Sequence, residues 1–221
     1  MARSTGVAQF RFAAGRMLAA CSLALLSPAL ALVALAVWLD DGSPVLFRQT
    51  RVGRGGRPFV LFKFRSMFNR PLDARAGALL TASGDPRVTR TGRFLRKFKI
   101  DELPQLWNVL RGEMSLIGPR PEVPRYVDTS QAVWRAVLGV RPGITDVATL
   151  LYRDEERILA GFADPEKAYR ETVLPAKLAL NLAYLGRRSC LRDVKLLALT
   201  AWHSLLPGAV DAEKLKKLIL P

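Results

Sequence analysis

The sequence has 221 residues, with only one histidine and two cysteines. The cysteines, Cys21 and Cys190, form no Cys-x-x-Cys pair and have no histidine at zinc-site spacing, so neither a zinc site nor a structural disulfide is expected. The histidine, His203, lies in an apolar stretch and has no second histidine to support a catalytic triad; no G-x-S-x-G or Rossmann fingerprint is present. Cysteine use favours a reducing, cytoplasmic setting for most of the chain.

Acidic residues are also scarce relative to basic ones. The chain has 19 acidic and 34 basic side chains, giving a net charge of +15, yet half of its residues are hydrophobic and its mean hydropathy is +0.12. Nucleic acid would explain the charge but not the apolar content. The combination indicates contact with an anionic, apolar surface, so membrane lipid is the expected partner and nucleic acid is not.

Charge is absent from residues 17–39. A bilayer crossing needs about 20 apolar residues, so this run is long enough to cross one as a helix. A cleaved signal peptide has a shorter apolar core, and here the run continues past the small residues 29–31. Ser27-Pro28 stands near its middle, where proline predicts a kink and serine can partly satisfy the freed carbonyl.

Basic residues flank the apolar run on both sides. Positive charge marks the cytoplasmic end of a spanning helix, so basic residues at both ends conflict with a helix that has one end outside. A re-entrant helix, which returns to the face it entered, removes the conflict. The residues alone leave the spanning and re-entrant hypotheses open. The flanking residues are Arg3, Arg11 and Arg16 before the run, and Arg48, Arg51, Arg54, Arg57, Lys63 and Arg65 after it.

The segment after the apolar run predicts a β-hairpin. Residues 45–52 and 58–64 are rich in β-formers and flank the glycine-rich residues 53–56. The glycine cluster lacks the Gly-Lys-Ser/Thr ending of a P-loop, which favours a plain turn. Residues 69–84 are predicted as a loop and residues 91–98 as a short basic helix.

A second helix is predicted to begin close to Asp101. Pro104 is compatible only with the first turn of a helix, and Gly112 is a natural stop. The apolar residues at helical spacing are Leu103, Leu106, Trp107 and Leu110.

The remainder predicts Pro/Gly loops and further helices. Residues 118–124 and 141–145 are predicted as stiff loops, and residues 152–159, 165–184 and 191–206 as helices. The last of these either lies on the bilayer surface or packs in the core. The predicted fold class is α+β, mostly helical with a small β-hairpin. Residues 1–40 are predicted as an N-terminal segment that carries the membrane helix. Residues 41–221 are predicted as a cytoplasmic, membrane-associated catalytic domain that includes amphipathic helices at the membrane interface.

Asp101 and Glu102 are the candidates for chemistry. Acids at a helix start are common because they complement the helix dipole, which is the structural alternative. Four cations just upstream and the backbone N–H groups of a helix start favour an anion site, and a divalent cation would let two carboxylates share it. One carboxylate can hold metal while the other attacks phosphorus. The cations are Arg93, Arg96, Lys97 and Lys99.

Two arginines stand in proline-fixed loops. Arg120 lies between Pro119 and Pro121, and Arg141 precedes Pro142. Such loops hold a side chain with little entropy loss, which suits an anion clamp. The alternative is that each arginine pairs with a nearby acid such as Glu113 or Glu122.

Three segments together resemble a known family. They are PVLFRQTRVGRGGRPFVLFKFRSM, DPRVTRTGRFLRKFKIDELPQLWNVLRGEMSLIGPRPE and RPGIT. In order and spacing they resemble the bacterial sugar transferases, the monotopic phosphoglycosyl transferases that start exopolysaccharide, O-antigen and protein glycan assembly. The resemblance covers about residues 44–220, and the block 85–121 is its most specific part. One short apolar segment and the C-terminal tail resemble the small form of the family.

The resemblance implies a reaction. Asp101 would be the nucleophile that forms an aspartyl-phosphosugar intermediate and releases UMP from a UDP-sugar, and Glu102 would bind Mg²⁺. Polyprenyl phosphate, expected to be undecaprenyl phosphate, would then accept the sugar phosphate. Arg96 and Arg141 match family arginines near the phosphates.

The resemblance also implies surroundings for this pair. Pro119, Arg120 and Pro121 match a substrate-pocket loop, and Lys63 and Arg65 lie in the family's Lys-Phe-Arg strand. Ser27-Pro28 matches the break in a re-entrant membrane helix, which places both helix ends on the cytoplasmic face of the bacterial inner membrane. Asp146 departs from the family, whose larger members have glycine there.

Two other functions compete with this one. A non-catalytic, basic membrane-surface binding module would explain the charge and the apolar segment, but not the acids inside the most basic stretch. A related transferase could instead hydrolyse its intermediate. The sequence leaves open the sugar and the oligomeric state, a homodimer included.

Overall fold

The structure is a computed structural model, and it describes residues 2–69, 81 and 84–207. Most of these residues are helical, and the strands form two small sheets. The predicted fold class, α+β and mostly helical with a small hairpin, is confirmed at that level. Most of the loop predicted at residues 69–84 lies outside the described residues. The α-helices are α1 (Ala2–Asp41), α2 (Arg90–Lys97), α3 (Gln105–Arg111), α4 (Ala132–Leu138), α5 (Val147–Leu151), α6 (Glu155–Ala160), α7 (Pro165–Ala168), α8 (Leu174–Gly186) and α9 (Cys190–Leu205).

Helix α1 carries the apolar run and extends beyond it at its N-terminal end. Its residues Gly6–Asp41 are long and apolar enough to cross a membrane. Pro28 has no N–H to donate to the Ala24 carbonyl four residues back. The Ser27 hydroxyl donates to that carbonyl instead, at 2.8 Å, and the helix continues through both residues. The break at Ser27-Pro28 therefore stays a prediction about the helix in a membrane.

One stripe of α1 packs on the rest of the chain at two places. Ala19 is fully buried against the hairpin residues Phe59 and Leu61 and against α3. Val37, three per cent exposed, packs against Phe64 and Leu95. Both halves of the apolar helix are thus attached to the same body.

The hairpin agrees with its prediction. Strands β1 (Leu46–Val52) and β2 (Pro58–Phe64) pair antiparallel, with Leu46 opposite Phe64. A 3₁₀ turn, Arg54–Gly56, joins them, and Gly55 and Gly56 have positive φ angles that favour glycine. Two runs of β-forming residues around a glycine cluster were enough to predict this element.

A second pair of strands was not predicted. Strand β3 (Ser115–Ile117) pairs in parallel with β4 (Gly143–Thr145), so the prediction of a plain loop at residues 141–145 is wrong. The pairing continues as a close approach of two backbones, where a Cβ on Gly143 would come within 2.1 Å of the Gly118 nitrogen. A strand of three residues is too short to show an alternating pattern. Its pairing partner is also distant in sequence, so no local turn signal marks the pair.

The C-terminal helices build the largest core. The stretch predicted as helix at residues 165–184 contains α7, a π-helical turn at Tyr169–Val173 and α8. The helix predicted at 152–159 is the shorter α6, preceded by α5. Helix α9 buries Leu196, while Leu191 and Leu205 are more than 70 per cent exposed. It packs on the body along one face and presents apolar side chains on another.

Candidate active site

The two adjacent acids lie in a turn of their own. Asp101 and Glu102 belong to a 3₁₀ turn, Ile100–Glu102, that follows Lys99 in the left-handed conformation (φ 57°). Helix α3 begins only at Gln105, so the prediction that it begins close to Asp101 is wrong. The Glu102 N–H donates to the Lys99 carbonyl at 3.2 Å. The helix start therefore does not supply the anion site that its dipole suggested, and the charged side chains around the turn do.

Glu102 is buried and held by two cations. Arg120 donates from Nη1 to Oε2 at 3.1 Å and from Nη2 to Oε1 at 2.6 Å, and Lys63 Nζ donates to Oε1 at 3.0 Å. Burial alone would raise the pKa of Glu102, but Arg120 and Lys63 outweigh it and hold the pKa well below its usual value. The two cations therefore favour the ionised form of Glu102.

Asp101 has the opposite environment. It is six per cent exposed, and its Oδ1 is buried with no hydrogen-bond partner in the part of the chain that the structure describes. Burial raises the pKa of Asp101, Lys63 opposes the rise and ionised Glu102 adds to it. Two neighbouring carboxylates whose pKa values are pushed apart can take different tasks. Asp101 is the one that has a carboxylate oxygen without a hydrogen-bond partner among the described residues.

Both acids line a basic depression, here called the dyad cleft, with a volume of about 590 Å³. Its charged lining comprises eight basic and five acidic side chains. Arg96, a predicted phosphate-binding residue, lies in this lining and pairs with Glu156. The excess of positive charge suits a ligand with several negative charges. The basic residues are Lys63, Arg93, Arg96, Lys97, Lys99, Arg120, Arg153 and Arg157.

Arg120 is fixed by its loop, as the flanking prolines predicted. Its backbone N–H donates to Asp146 Oδ2 at 2.7 Å, and the Pro119 carbonyl accepts from Gly143 at 3.0 Å. Pro119 and Pro121 are buried, so they position Arg120. The alternative prediction was that Arg120 pairs with a nearby acid such as Glu122. In the structure Arg120 does pair with an acid, but the acid is Glu102.

A second depression, here called the hairpin cleft, shares Asp101 with the first. Its volume is about 580 Å³, and Lys63, Arg96 and Arg120 also line both clefts. Arg65 lies in its lining, but donates at 2.8 Å to the carbonyls of Asp41 and Gly42. Arg65 therefore fastens the end of α1 to β2 rather than reaching the acids.

Arg141 lies elsewhere. It lines neither the dyad cleft nor the hairpin cleft. Its Nε donates to the Gly112 carbonyl at 3.2 Å, and its guanidinium stacks 3.7 Å from the centre of the Phe12 ring. Of the two arginines predicted to bind phosphate, the structure brings Arg96 to the acids and not Arg141.

Several polar residues near the acids were not predicted as part of the site; Glu122 was named only as a possible partner of an arginine. Glu122 accepts from Tyr169 at 2.7 Å, Lys177 donates to Glu155 at 2.7 Å, and all four line the hairpin cleft. These contacts join residues 22 to 47 positions apart. Asp146 is the exception, since an acid just before a helix is a recognisable N-cap. It caps α5 through Thr149 and supports Arg120.

The acids fit a magnesium ion that takes few protein ligands. The described residues contain no group of three or more His, Cys, Asp and Glu that could hold a metal. Magnesium, however, is commonly bound by one or two carboxylates together with substrate phosphates and water. A carboxylate has about four lone-pair positions, and the contacts to Arg120 and Lys63 use three of those on Glu102. A lone pair on Glu102 Oε2 remains available.

A sequence profile of the bacterial sugar transferase family matches residues 8–206. The chain belongs to this family. The match includes most of α1, both clefts and α9, so it begins well before residue 44, where the resemblance of the motifs begins. The predicted family is confirmed.

Named relatives agree. The chain is 43% identical over 185 residues to an undecaprenyl-phosphate glucose phosphotransferase of Komagataeibacter xylinus, covering 79% of this chain and 32% of the relative. It is 40% identical to a UDP-glucose:undecaprenyl-phosphate glucose-1-phosphate transferase of Caulobacter vibrioides, covering 82% and 64%. It is 36% identical to the exopolysaccharide production protein PSS of Rhizobium leguminosarum, covering 85% and 90%. The chain thus spans from a third to less than two thirds of the first two relatives.

Proposed function

We propose that this chain is a phosphoglycosyl transferase that moves a sugar 1-phosphate from a UDP-sugar to polyprenyl phosphate, with undecaprenyl phosphate as the acceptor. This reaction would be the first membrane step of glycoconjugate assembly, in which exopolysaccharide, O-antigen or a glycoprotein glycan is built. One observation carries the proposal: Asp101, which has a carboxylate oxygen without a partner among the described residues, lies beside Glu102, which Arg120 and Lys63 hold in ion pairs, in a basic cleft.

The first step uses Asp101 as the nucleophile. One oxygen of its carboxylate forms a bond to the phosphorus that bears the sugar, and the bond from that phosphorus to the bridging oxygen breaks. UMP leaves with the electron pair, and an aspartyl-phosphosugar remains on the protein. Arg96 and the other cations of the dyad cleft stabilise the charge that collects on the phosphate oxygens.

The second step returns the carboxylate. An oxygen of the lipid phosphate bonds to the same phosphorus, and the bond from phosphorus to Asp101 breaks with its electron pair left on the carboxylate. The product is a polyprenyl-diphosphate sugar. Access to Asp101 from both the dyad cleft and the hairpin cleft supports a donor and an acceptor that reach one atom in turn.

Magnesium is part of the proposal. Glu102 would hold the ion, because its pKa keeps it ionised and Oε2 has a lone pair left. When bound, the ion neutralises the diphosphate of the donor. Lys63 and Arg120 keep Glu102 in place, and their charges prevent two adjacent acids from repelling an anionic substrate.

The proposal places α1 as a re-entrant helix in the bacterial inner membrane, with the acids on the cytoplasmic face. Both ends of α1 contact the same body: Arg11 pairs with Asp193 at 3.6 Å near one end, and Asp40 accepts from the Thr91 N–H at 2.8 Å at the other. A helix whose two ends are attached to one body supports an apolar segment that enters and leaves by one face. The exposed apolar residues of α9 support an interfacial position for that helix.

A turnover assay tests the function. The purified full chain would be mixed with undecaprenyl phosphate, Mg²⁺ and a panel of UDP-sugars that includes UDP-glucose and UDP-N-acetylgalactosamine, the sugars named for relatives. We expect equal amounts of UMP and polyprenyl-diphosphate sugar with at least one donor. Free sugar phosphate in place of the lipid product would indicate a hydrolase. Liposome binding without turnover on any donor would favour a non-catalytic membrane-surface module.

A further inference from the structure

A third depression lies apart from the other two and shares no lining residue with the dyad cleft. This arginine cleft, about 350 Å³ in volume, lies between the N-terminal half of α1 and the region of β3, the end of α4 and α9. Its walls include Arg54 from the hairpin turn, Arg141 before β4, and Arg11 and Arg188. No step of the proposed reaction uses it.

Three arginines in and beside this cleft are anchored in the same way. Each donates its Nε to a backbone carbonyl at the end of a short helix, and none has a carboxylate partner among the residues that the structure describes. A guanidinium has several further N–H donors, so its terminal nitrogens remain available. The bonds run from Arg16 to the Leu110 carbonyl (3.0 Å), from Arg54 to that of Gly139 (3.2 Å) and from Arg141 to that of Gly112 (3.2 Å).

The three like charges act on one another. Burial and the charges of Arg54 and Arg16 lower the pKa of Arg141. The Phe12 ring is near two of them, with Arg141 at 3.7 Å and Arg16 at 5.7 Å from its centre. The ring partly offsets the repulsion, since an aromatic face attracts cations, but it supplies no negative charge. A bound anion would supply it.

The other arginines of this cleft are different. Arg11 and Arg188 both pair with Asp193, at 3.6 Å and 3.1 Å. Asp193 therefore supplies a counter-ion for Arg11 and Arg188, whereas no carboxylate among the described residues pairs with Arg16, Arg54 or Arg141. This asymmetry locates the missing negative charge beside those three side chains.

The rest of the lining is apolar. Phe10 and Leu18 of α1 are 70 and 51 per cent exposed, and Val194 of α9 is 63 per cent exposed. A free phosphate would pair with the arginines but leave these side chains in water. A molecule with an anionic phosphate head and an acyl chain matches both halves.

We propose that the arginine cleft is a binding site for an anionic phospholipid of the surrounding membrane, with Arg54, Arg141 and Arg16 on the head-group phosphate and the exposed side chains of α1 and α9 on an acyl chain. The lipid would fasten the N-terminal half of α1 to the body. The site requires a membrane-associated chain but not the transferase reaction, so it stands or fails separately from the proposed function.

Lipid binding to the purified full chain tests this site. The chain, in an uncharged detergent, would be titrated with dioleoyl-phosphatidylglycerol, and bound lipid would be counted by native mass spectrometry. We expect a stoichiometric adduct that raises the melting temperature. Changing Arg54→Gln and Arg141→Gln together should weaken the adduct by at least about tenfold, because two charge-assisted contacts to phosphate are lost.

The matched control is Arg57→Gln, the same change three residues along the hairpin turn, outside the cleft lining. It should bind lipid as the unaltered chain does. If the double variant fails to fold, Arg54→Gln alone, at an exposed side chain, replaces it. An adduct and melting shift that survive these substitutions would overturn the site. Displacement of the lipid by an equal concentration of glycerol phosphate would overturn its assignment to a lipid.

Discussion

Arg120 holds both carboxylate oxygens of Glu102, with Nη1 3.1 Å from Oε2 and Nη2 2.6 Å from Oε1. The pair joins the Pro-Arg-Pro loop to the turn that carries Asp101, two segments that neither periodicity nor spacing brings together. The Arg120 backbone N–H also donates to Asp146 Oδ2 at 2.7 Å, which fixes the loop. This bidentate contact favours the ionised form of Glu102, next to the proposed nucleophile Asp101.

Arg120→Met should destabilise the protein and abolish turnover. Removing one partner of a buried ion pair costs about 3–5 kcal/mol, because the other charge is left without compensation. We expect a lower melting temperature in detergent. Arg120→Lys keeps the charge but cannot make the bidentate contact, so it should lose less stability and still lose most activity.

A double-mutant cycle separates the pair from its surroundings. Glu102→Gln combined with Arg120→Met should cost less stability than the sum of the two single changes, since each single change strands the other group. Strictly additive losses would contradict a direct contact between these two residues.

The magnesium requirement should depend on Glu102. We expect chelation of Mg²⁺ to stop turnover, and Glu102→Gln to raise the Mg²⁺ concentration for half-maximal rate by at least about tenfold. Asp154→Asn, a neutralised acid in the lining of the same cleft, is the control and should leave that concentration unchanged. An unchanged requirement in Glu102→Gln would assign the metal to another group.

The docking of α1 on the body can be tested at adjacent alanines. Ala19 is fully buried against Phe59 and α3, whereas Ala20 is exposed. Ala19→Leu should overfill the contact and cost about 1–3 kcal/mol, measured as a lower melting temperature. Ala20→Leu, the same change one position along, should have little effect. Equal effects would mean that this stripe of α1 does not pack on the body.

The re-entrant arrangement predicts where the ends of α1 can be labelled. Val7→Cys and Ser43→Cys would be placed singly in a chain with Cys21 and Cys190 changed to serine. Both are exposed positions beyond the apolar run. A membrane-impermeant thiol reagent should label neither in intact cells and both in inverted vesicles. Labelling of one end from outside would show that α1 spans the membrane.

Local features of the fold could be predicted from the sequence. The hairpin follows from two runs of β-forming residues around turn glycines, which act within a few residues. The short basic helix predicted at residues 91–98 agrees with α2, which the structure shows capped by Thr89. The start of α3 could not be predicted, because the left-handed Lys99 adds a separate 3₁₀ turn before the helix. Strands β3 and β4 were missed because each has three residues and its partner is distant.

For the candidate site, the sequence predicts which residues take part better than it predicts how they contact one another. Asp101 and Glu102 were identified as a pair, but their separate tasks depend on Lys63 and Arg120, which come from other elements. Arg141 was grouped with Arg96 because both match family arginines, yet the parallel pairing of β4 carries Arg141 to the side of α1. Long-range contacts of this kind leave no pattern in one sequence.

Covalent capture of the sugar phosphate tests the proposed reaction most directly. The full chain would be incubated with a UDP-sugar labelled in the sugar, without lipid acceptor, and the labelled peptide identified by mass spectrometry. We expect UMP release and a phosphosugar on Asp101, none on Asp101→Asn, and normal labelling of Asp154→Asn. Label that persists in Asp101→Asn would contradict the assignment of Asp101 as the nucleophile. Turnover without any labelled protein would contradict a covalent intermediate.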